Sequence, residues 1–176
     1  LAAAFYGRQP DHIVAVTGTN GKTSTVHFVK QLWTMQGRKA ASIGTLGVRM
    51  PGAVRSGAMT TPDPVSLHAA LADLAAAGVT HLAMEASSHG LDQYRLDGVN
   101  IAAAAFTNLT RDHLDYHGDM ESYWKAKRRL FAELLREGGA AVINADTPQA
   151  ADLAALAQKR NLRILSYGHT GKDLKI

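Results

Sequence analysis

The chain of 176 residues contains no cysteine, so disulfide bonds and thiolate metal sites are excluded and nothing argues for secretion. No apolar run approaches the length of a membrane-spanning helix, and Leu1–Ala4 is too short for a signal sequence. The sequence also lacks internal repeats, low-complexity segments and an obvious linker. We therefore expect one cytoplasmic domain that is monomeric and does not contact a membrane.

The charge balance indicates anionic ligands. The formal net charge is +4 and the isoelectric point is near 9.5. However, the densest basic run, Lys125–Arg129, lies in a helical pattern that spreads its cations over several faces. A nucleic-acid-binding protein would more often carry a continuous basic stripe with interleaved aromatic residues. We therefore predict no nucleic-acid partner.

Short apolar runs alternate with helical patterns along the whole chain. This alternation predicts an α/β fold with three layers, P-loop or Rossmann-like, in which helices cover both faces of a mostly parallel sheet. Gly37, Gly78 and Gly138 each follow a helical pattern, as helix-ending glycines do. The predicted strands are His12–Val16, Lys39–Ile43, Thr80–Glu85, Ile101–Phe106, Ala140–Ile143 and Arg163–Tyr167, and the predicted helices are Thr23–Gln36, Pro64–Ala77, Met120–Arg136 and Pro148–Lys159.

The stretch Gly44–Pro64 contains several glycines and prolines and is predicted to be irregular. Long loops of this kind are often functional. At its end, Asp63 is predicted to cap a helix that begins at Pro64. That role leaves Thr60 and Thr61 free to contact a ligand.

The first predicted strand leads into Gly18-Thr19-Asn20-Gly21-Lys22-Thr23, a glycine-rich turn before a helix. Such a turn points several backbone N–H groups into one concavity and favours a phosphate. Lys22 would add a charge near the outer phosphates, and the Thr23 hydroxyl is placed to ligate Mg²⁺. The ordinary P-loop spacing requires a glycine where Val16 stands, so only the Gly-Lys-Thr half of that motif matches.

Polar segments follow two further predicted strands, and the carboxyl ends of parallel strands meet at one edge of a sheet. Glu85 closes an apolar strand, so its carboxylate must be bound to a metal or held in a salt bridge. Ala86–Arg95 combines hydroxyls, an amide, a histidine and an arginine, which suit a ligand with carboxylate or phosphate groups. Thr107–Gly118 holds two histidines and two aspartates within six positions, and we expect one of them to reach a metal. Tyr123–Phe131, by its composition alone, is an amphipathic helix with solvated basic side chains.

Taken together, five ordered motifs resemble the central ATP-binding domain of the Mur ligases, and most closely the members that add the third residue of the peptidoglycan peptide. The resemblance implies that ATP phosphorylates the terminal carboxylate of a UDP-N-acetylmuramoyl dipeptide. The amine of meso-diaminopimelate or L-lysine would then attack the acyl phosphate and form an amide. The motifs are Gly18–Thr23, Thr60–Asp63, Glu85–Leu91, Thr107–Gly118 and Tyr123–Phe131.

The resemblance also implies roles for particular residues. Two Mg²⁺ ions are implied, with Thr23 and Glu85 as ligands of the first and His113 as a ligand of the second. Lys127 matches a lysine that CO₂ carbamylates, which turns a cation into an anionic oxygen ligand. That reaction needs a neutral amine, so the lysine pKa must be lowered, and Arg128 is a candidate contributor. The implied catalytic set is Lys22, Glu85, His113 and Lys127.

Nucleotide and substrate contacts follow by position in the same way. ATP would be held by Gly18, Thr19, Asn20, Gly21, Lys22, Thr23 and Ser24, with Asn144 and Asp146 near the nucleotide. The muramoyl dipeptide would be held by Thr60, Thr61, Ser87, Gln93 and Arg95.

The resemblance covers one region of a Mur ligase. A complete ligase also has an N-terminal domain that binds uridine and a C-terminal domain that receives the amino acid, and neither is recognised within residues 1–176. We therefore expect a partial central domain that has no ligase activity by itself. Two other functions stay open: a different superfamily member, such as folylpolyglutamate synthase or the ligase domain of cyanophycin synthetase, and a nucleotide-binding module without catalysis.

Overall fold

A computed structural model describes residues 1–57 and 59–176. Ala58, which lies in the stretch predicted to be irregular, falls outside the described residues. The helices are α1 (Ala2–Tyr6), α2 (Lys22–Met35), α3 (Pro64–Ala76), α4 (Ser88–Asp92), α5 (Leu114–His117), α6 (Met120–Arg129), a π-helix (Leu130–Leu134) and α7 (Ala150–Lys159). The strands are β1 (His12–Thr17), β2 (Ala40–Gly44), β3 (Gly47–Met50), β4 (Ala53–Arg55), β5 (His81–Glu85), β6 (Ile101–Phe106), β7 (Leu135–Asn144), β8 (Arg163–Gly168) and β9 (Leu174–Lys175).

The strands form one sheet in the order β4-β3-β2-β5-β1-β6-β7-β8-β9. The pairs from β2 to β9 along this order are parallel, whereas β2–β3 and β3–β4 are antiparallel. This arrangement confirms the predicted mostly parallel sheet.

Helices cover both faces of that sheet. On one face, Val16 of β1 packs with Val26 of α2 and with Ala83 of β5. On the other face, Ile13 and Ala15 belong to the larger apolar core, which also takes in residues of α3 and α7. Because successive side chains of a strand point to opposite faces, the apolar run of β1 supplies both layers. The three-layer prediction is confirmed.

The register of the central strands brings three distant segments to one edge. Val16 lies opposite Glu85 of β5, and Thr17 lies opposite Phe106 of β6. The residues that follow these strands therefore begin next to one another, and α2 starts at the same edge. The Asp63 cap is also present, since its carboxylate accepts hydrogen bonds of 3.0 Å from the N–H groups of Val65 and Ser66.

Two predictions of secondary structure were wrong. The stretch predicted to be irregular contains the hairpin β3–β4, whose second strand is exposed along its whole length and so carries no apolar alternation. The helix predicted to run to Arg136 is α-helical as far as Arg129 and continues as the π-helix to Leu134, so it ends two residues early, because buried Leu135 already pairs with Ile101 as the first residue of β7. Gly138 therefore lies inside β7, where the ladder is irregular, and does not end a helix.

Along the described ranges, no helix combines the length and the hydropathy that are needed to cross a bilayer.

Candidate active site

The turn between β1 and α2 has the backbone shape of an anion-binding loop. Gly18 and Gly21 adopt positive φ angles of 146° and 85°, which favour glycine. A Cβ atom on Gly18 would lie 1.9 Å from Thr107 Oγ1, so this position has no room for a side chain. Gly21 is the N-cap residue of α2 and has no side chain with which to cap the first amides of the helix. These amides suit a phosphate.

Lys22 folds back over this loop. Its ammonium donates hydrogen bonds of 2.9 Å to the Gly18 carbonyl and 2.8 Å to the Thr19 carbonyl. Burial lowers the pKa of Lys22, and the negative charge of Glu85 partly opposes that shift. The ammonium of Lys22 is therefore held against the backbone of the loop itself.

Glu85 lies at the end of β5 with 1% of its surface exposed. Its carboxylate accepts hydrogen bonds from the Thr23 hydroxyl at 3.0 Å, from the Thr45 amide at 2.8 Å and from the Thr45 hydroxyl at 3.3 Å. The salt-bridge alternative was wrong for the described residues, because hydroxyls and an amide satisfy this carboxylate. A hydroxyl and a carboxylate in contact form an oxygen donor pair of the kind that Mg²⁺ prefers.

Thr45 is a site residue that the sequence analysis missed. It follows β2, whose carboxyl end lies at the same edge as that of β5. The preceding Gly44 has no room for a side chain, since a Cβ there would lie 2.2 Å from Glu85 Oε1. The rule that ligands gather at strand ends would have singled out Gly44 and Thr45 if the strand β2 had been carried one residue further.

The residues expected to hold the dipeptide join this carboxylate through Thr61. The Thr61 hydroxyl donates to the Glu85 carbonyl at 2.9 Å and accepts from the Ser87 amide at 3.0 Å. The Arg95 guanidinium donates to the Thr61 carbonyl at 2.8 Å and also contacts Gln93. The structure therefore brings these four residues together.

Thr60 lies in the same region, because its hydroxyl lies 3.1 Å from that of Thr45. Ser87 also has a local role: its hydroxyl accepts from the Gly90 amide at 3.1 Å and caps α4.

Lys127 is the largest departure from the composition-based prediction. The side chain is not solvated: Lys127 has 1% of its surface exposed. Its ammonium donates a 2.9 Å hydrogen bond to the Gly18 carbonyl, the same oxygen that Lys22 contacts, and lies 4.3 Å from the centre of the Tyr123 ring. Burial lowers the pKa of Lys127 to about 7, with the charge of Lys22 as the second cause and Asp112 opposing.

The expected contribution of Arg128 to that shift was wrong. The Arg128 guanidinium points away to Asp152, with a contact of 2.7 Å. The neighbouring cation is Lys22, which lies far from Lys127 in sequence.

His113 lies near Tyr123, at the end of the segment that follows β6. It is the N-cap residue of α5 and has a positive φ of 52°. Its ring centre lies 5.0 Å from that of His89 and 6.0 Å from that of Tyr123, and about half of its side chain is exposed. Tyr123 thus has both His113 and Lys127 as neighbours.

The remaining predicted residues differ in their placement. Asn144 reaches the site, because its amide nitrogen donates to the Thr107 carbonyl at 2.8 Å. Ser24 is exposed in the first turn of α2. Asp146 is turned instead toward the His169 and Thr170 amides, at 2.7 and 2.9 Å.

In the part of the chain that the structure describes, no group of three or more His, Cys, Asp or Glu side chains could hold a metal ion. Of the four predicted ligands, only Thr23 and Glu85 are seen in direct contact. A lysine ammonium is a hydrogen-bond donor and cannot ligate a cation. The full metal set therefore stays a prediction.

Comparison with known proteins gives consistent matches. Residues 16–176 match the family model described as the Mur ligase middle domain. The chain is similar to UDP-N-acetylmuramoyl-L-alanyl-D-glutamate–2,6-diaminopimelate ligases of Agrobacterium fabrum (56% identity over 99% of the chain and 36% of that protein) and Rhizobium meliloti (58% over 97% of the chain and 35% of that protein). A solved structure of a ligase with the same name superposes with a TM-score of 0.84 at 39% identity, over 98% of the chain and 35% of that structure. The chain thus spans little more than a third of these relatives.

Proposed function

The chain belongs to the Mur ligase family, and we propose that it supplies the ATP-binding centre of a ligase that extends a UDP-N-acetylmuramoyl dipeptide by one amino acid. In this reaction an oxygen of the dipeptide carboxylate attacks the γ-phosphorus of ATP, and the bond to ADP breaks. The amine of the amino acid then forms the new C–N bond and loses a proton, while phosphate leaves from the acyl carbon. Acyl phosphate formation is needed because a free carboxylate is a poor electrophile.

One observation carries the proposal: the contact between the Thr23 hydroxyl and the buried Glu85 carboxylate, at 3.0 Å, beside the glycine loop. A P-loop threonine and a carboxylate at a strand end are the two groups that hold Mg²⁺ beside the phosphates in P-loop enzymes. Both donors are oxygens, so this pair fits the ion. Bound there, Mg²⁺ would neutralise charge that develops on the transferred phosphoryl group.

The residues of the chain account for much of the remaining work. The α2 amides and Lys22 would bind the outer phosphates and position them for in-line transfer. The network of Thr60, Thr61, Ser87 and Arg95 would present the dipeptide carboxylate beside them. Phosphoryl transfer needs such positioning and charge neutralisation more than covalent help.

Carbamylation of Lys127 is part of this proposal. The neutral amine would attack the carbon of CO₂, forming an N–C bond and releasing one proton, to leave an anionic carbamate. The pKa of about 7 supports this step, because a substantial fraction of the amine is then neutral near pH 7. The carbamate and His113 are the proposed ligands of a second Mg²⁺.

We further propose that the incoming amino acid is meso-diaminopimelate and not L-lysine. Support comes from the names of the relatives above, which are 2,6-diaminopimelate ligases. The cytoplasmic location and the monomeric state stay predictions.

The test uses the full-length protein with ATP, Mg²⁺ and UDP-N-acetylmuramoyl-L-alanyl-D-glutamate, and phosphate release is measured with diaminopimelate, with L-lysine or without an amino acid. We expect release that requires both the dipeptide and diaminopimelate. Lys22→Ala should abolish it, whereas Lys30→Ala, the same change further along α2, should not. Stimulation by a folate and glutamate alone would favour the folylpolyglutamate alternative. ADP binding without any turnover would favour a non-catalytic module.

A further inference from the structure

The hydroxyl of Thr19 belongs to the phosphate loop but is bonded to two other segments of the chain. Thr19 is 8% exposed, and its Oγ1 contacts three groups. The Thr110 amide donates to it at 3.0 Å, the Thr110 carbonyl lies 3.2 Å away, and the Tyr123 hydroxyl lies 3.1 Å away. Three segments of the chain therefore meet at one oxygen atom.

Donor and acceptor counting fixes the direction of these bonds. A threonine hydroxyl has one hydrogen to donate and can accept two hydrogen bonds. The Thr110 amide can only donate and the Thr110 carbonyl can only accept, so Thr19 donates to that carbonyl. Its second acceptor position is then filled by the hydroxyl of Tyr123, which must be the donor. The Thr19 hydroxyl has no capacity left for a nucleotide.

Each bonded partner belongs to a different part of the site. Thr110 lies in the segment 107–113, which ends at His113. Tyr123 is fully buried in α6, and its ring supports the ammonium of Lys127 at 4.3 Å. The Thr19 hydroxyl is thus a joint between the phosphate loop, the His113 segment and the Lys127 helix.

The backbone of the phosphate loop does not depend on this joint alone. The Thr19 amide donates to the Asn108 carbonyl at 2.9 Å, and the Asn20 amide donates to the Asn108 side chain at 2.9 Å. The Thr107 hydroxyl donates to the Asn20 carbonyl at 2.7 Å. Removing the Thr19 hydroxyl should therefore leave the backbone of the phosphate loop in place. It should loosen the attachment of the His113 segment and of α6 to that loop.

We infer that Thr19 is a positioning residue whose hydroxyl aligns the His113 segment and the Lys127 helix with the phosphate loop and does not bind the nucleotide. This inference rests on the proposed function for its effect on turnover, but not for its effect on the fold. It predicts that loss of the hydroxyl lowers kcat much more than it raises the KM for ATP.

The first measurement needs no activity. Amide hydrogen exchange is compared between the wild-type full-length protein, Thr19→Val and Thr19→Ser without nucleotide. Because Thr19→Val leaves the Thr110 amide without its acceptor, we expect its exchange to accelerate ~10-fold or more, and Thr19→Ser should restore most of the protection. Unchanged exchange in Thr19→Val would overturn the inference.

The second measurement is steady-state kinetics on the same variants and on Tyr123→Phe, which loses only the donor to Thr19. We expect kcat to fall ~10-fold or more in Thr19→Val, with the KM for ATP within ~3-fold of wild type and recovery in Thr19→Ser. Adding Tyr123→Phe to Thr19→Val should cost little more, because both changes remove the same bond. An increase in the KM for ATP as large as the fall in kcat, or a serine variant as impaired as the valine variant, would overturn the inference.

Thr34→Val is the matched control. Its hydroxyl donates to the Lys30 carbonyl at 2.9 Å on the exposed part of α2, so both readouts should stay at wild-type values. If the wild-type protein shows no ligase turnover, the proposed function fails, and the exchange at Thr110 still decides whether the joint exists.

Discussion

Substitution of Gly18 by alanine tests the geometry of the phosphate loop. The φ angle of 146° is unfavourable for any residue with a Cβ. The new methyl group would also lie 1.9 Å from Thr107 Oγ1 and 3.1 Å from two backbone atoms of Asn108. Thr107 cannot simply rotate away, because its hydroxyl donates to the Asn20 carbonyl at 2.7 Å. Gly18→Ala therefore combines backbone strain with overpacking.

Gly37→Ala is a control with a positive φ angle and no clash. Gly37 has a φ of 76°, and a Cβ there would have no neighbour within 4 Å. We expect Gly37→Ala to lower the free energy of unfolding by ~1 kcal/mol, through backbone strain alone. Gly18→Ala should cost an additional ~1–3 kcal/mol, because it overpacks a tight site and because its φ angle is less favourable for alanine than that of Gly37.

Urea unfolding of the 176-residue chain, followed by tryptophan fluorescence, measures both variants. Adding Thr107→Ala to Gly18→Ala should recover part of the extra loss, because it removes the oxygen that the methyl group strikes. Equal losses in Gly18→Ala and Gly37→Ala, or no recovery in the double variant, would refute the loop geometry.

Further predictions concern Lys127 and Thr45. Lys127→Ala should lose ligase turnover in the full-length protein, and high formate or acetate should partly restore it by replacing the proposed carbamate. Full activity without added acid would remove Lys127 from the site. Because the pKa of Lys127 is lowered from 10.5 to about 7, the folded chain binds fewer protons than the unfolded chain between these values, so its stability should rise with pH there. Lys127→Met should remove that part of the rise in urea unfolding between pH 7 and 10, and an unchanged slope would contradict the burial of the ammonium. Thr45→Val should raise the Mg²⁺ concentration needed for half-maximal turnover ~5-fold or more, because Glu85 loses one partner, whereas an unaltered Mg²⁺ dependence would mean that the Thr45 hydroxyl does not orient it.

The fold was predictable because its main signals are local. The apolar runs of β1, β5 and β6 are buried on both sides only in a sheet that helices cover on both faces. Asp63-Pro64 marks the start of α3 directly. The hairpin β3–β4 was missed because an exposed strand carries no apolar alternation. The end of the helical segment was placed two residues too late because it depends on a tertiary contact, the pairing of Leu135 with Ile101.

The sequence predicted the place of some site residues and not of others. Strand-end placement was sufficient to bring Glu85 to the phosphate loop. Lys127 could not be identified from composition, because its burial depends on a phosphate loop more than a hundred residues earlier in the chain. Thr45 was missed because the predicted second strand ended one residue early, at Ile43. The Thr19 joint depends on side-chain directions, and these follow from the packing of the whole edge of the sheet.

The transfer of oxygen from the substrate to phosphate tests the central claim most directly. The full-length protein is supplied with ATP, Mg²⁺, diaminopimelate and UDP-N-acetylmuramoyl-L-alanyl-D-glutamate labelled with ¹⁸O in its terminal carboxylate, and the released phosphate is analysed by mass spectrometry. Reaction through an acyl phosphate predicts one ¹⁸O atom in each phosphate released with the amide product. Amide product with unlabelled phosphate, or phosphate release that does not depend on the dipeptide, would contradict it.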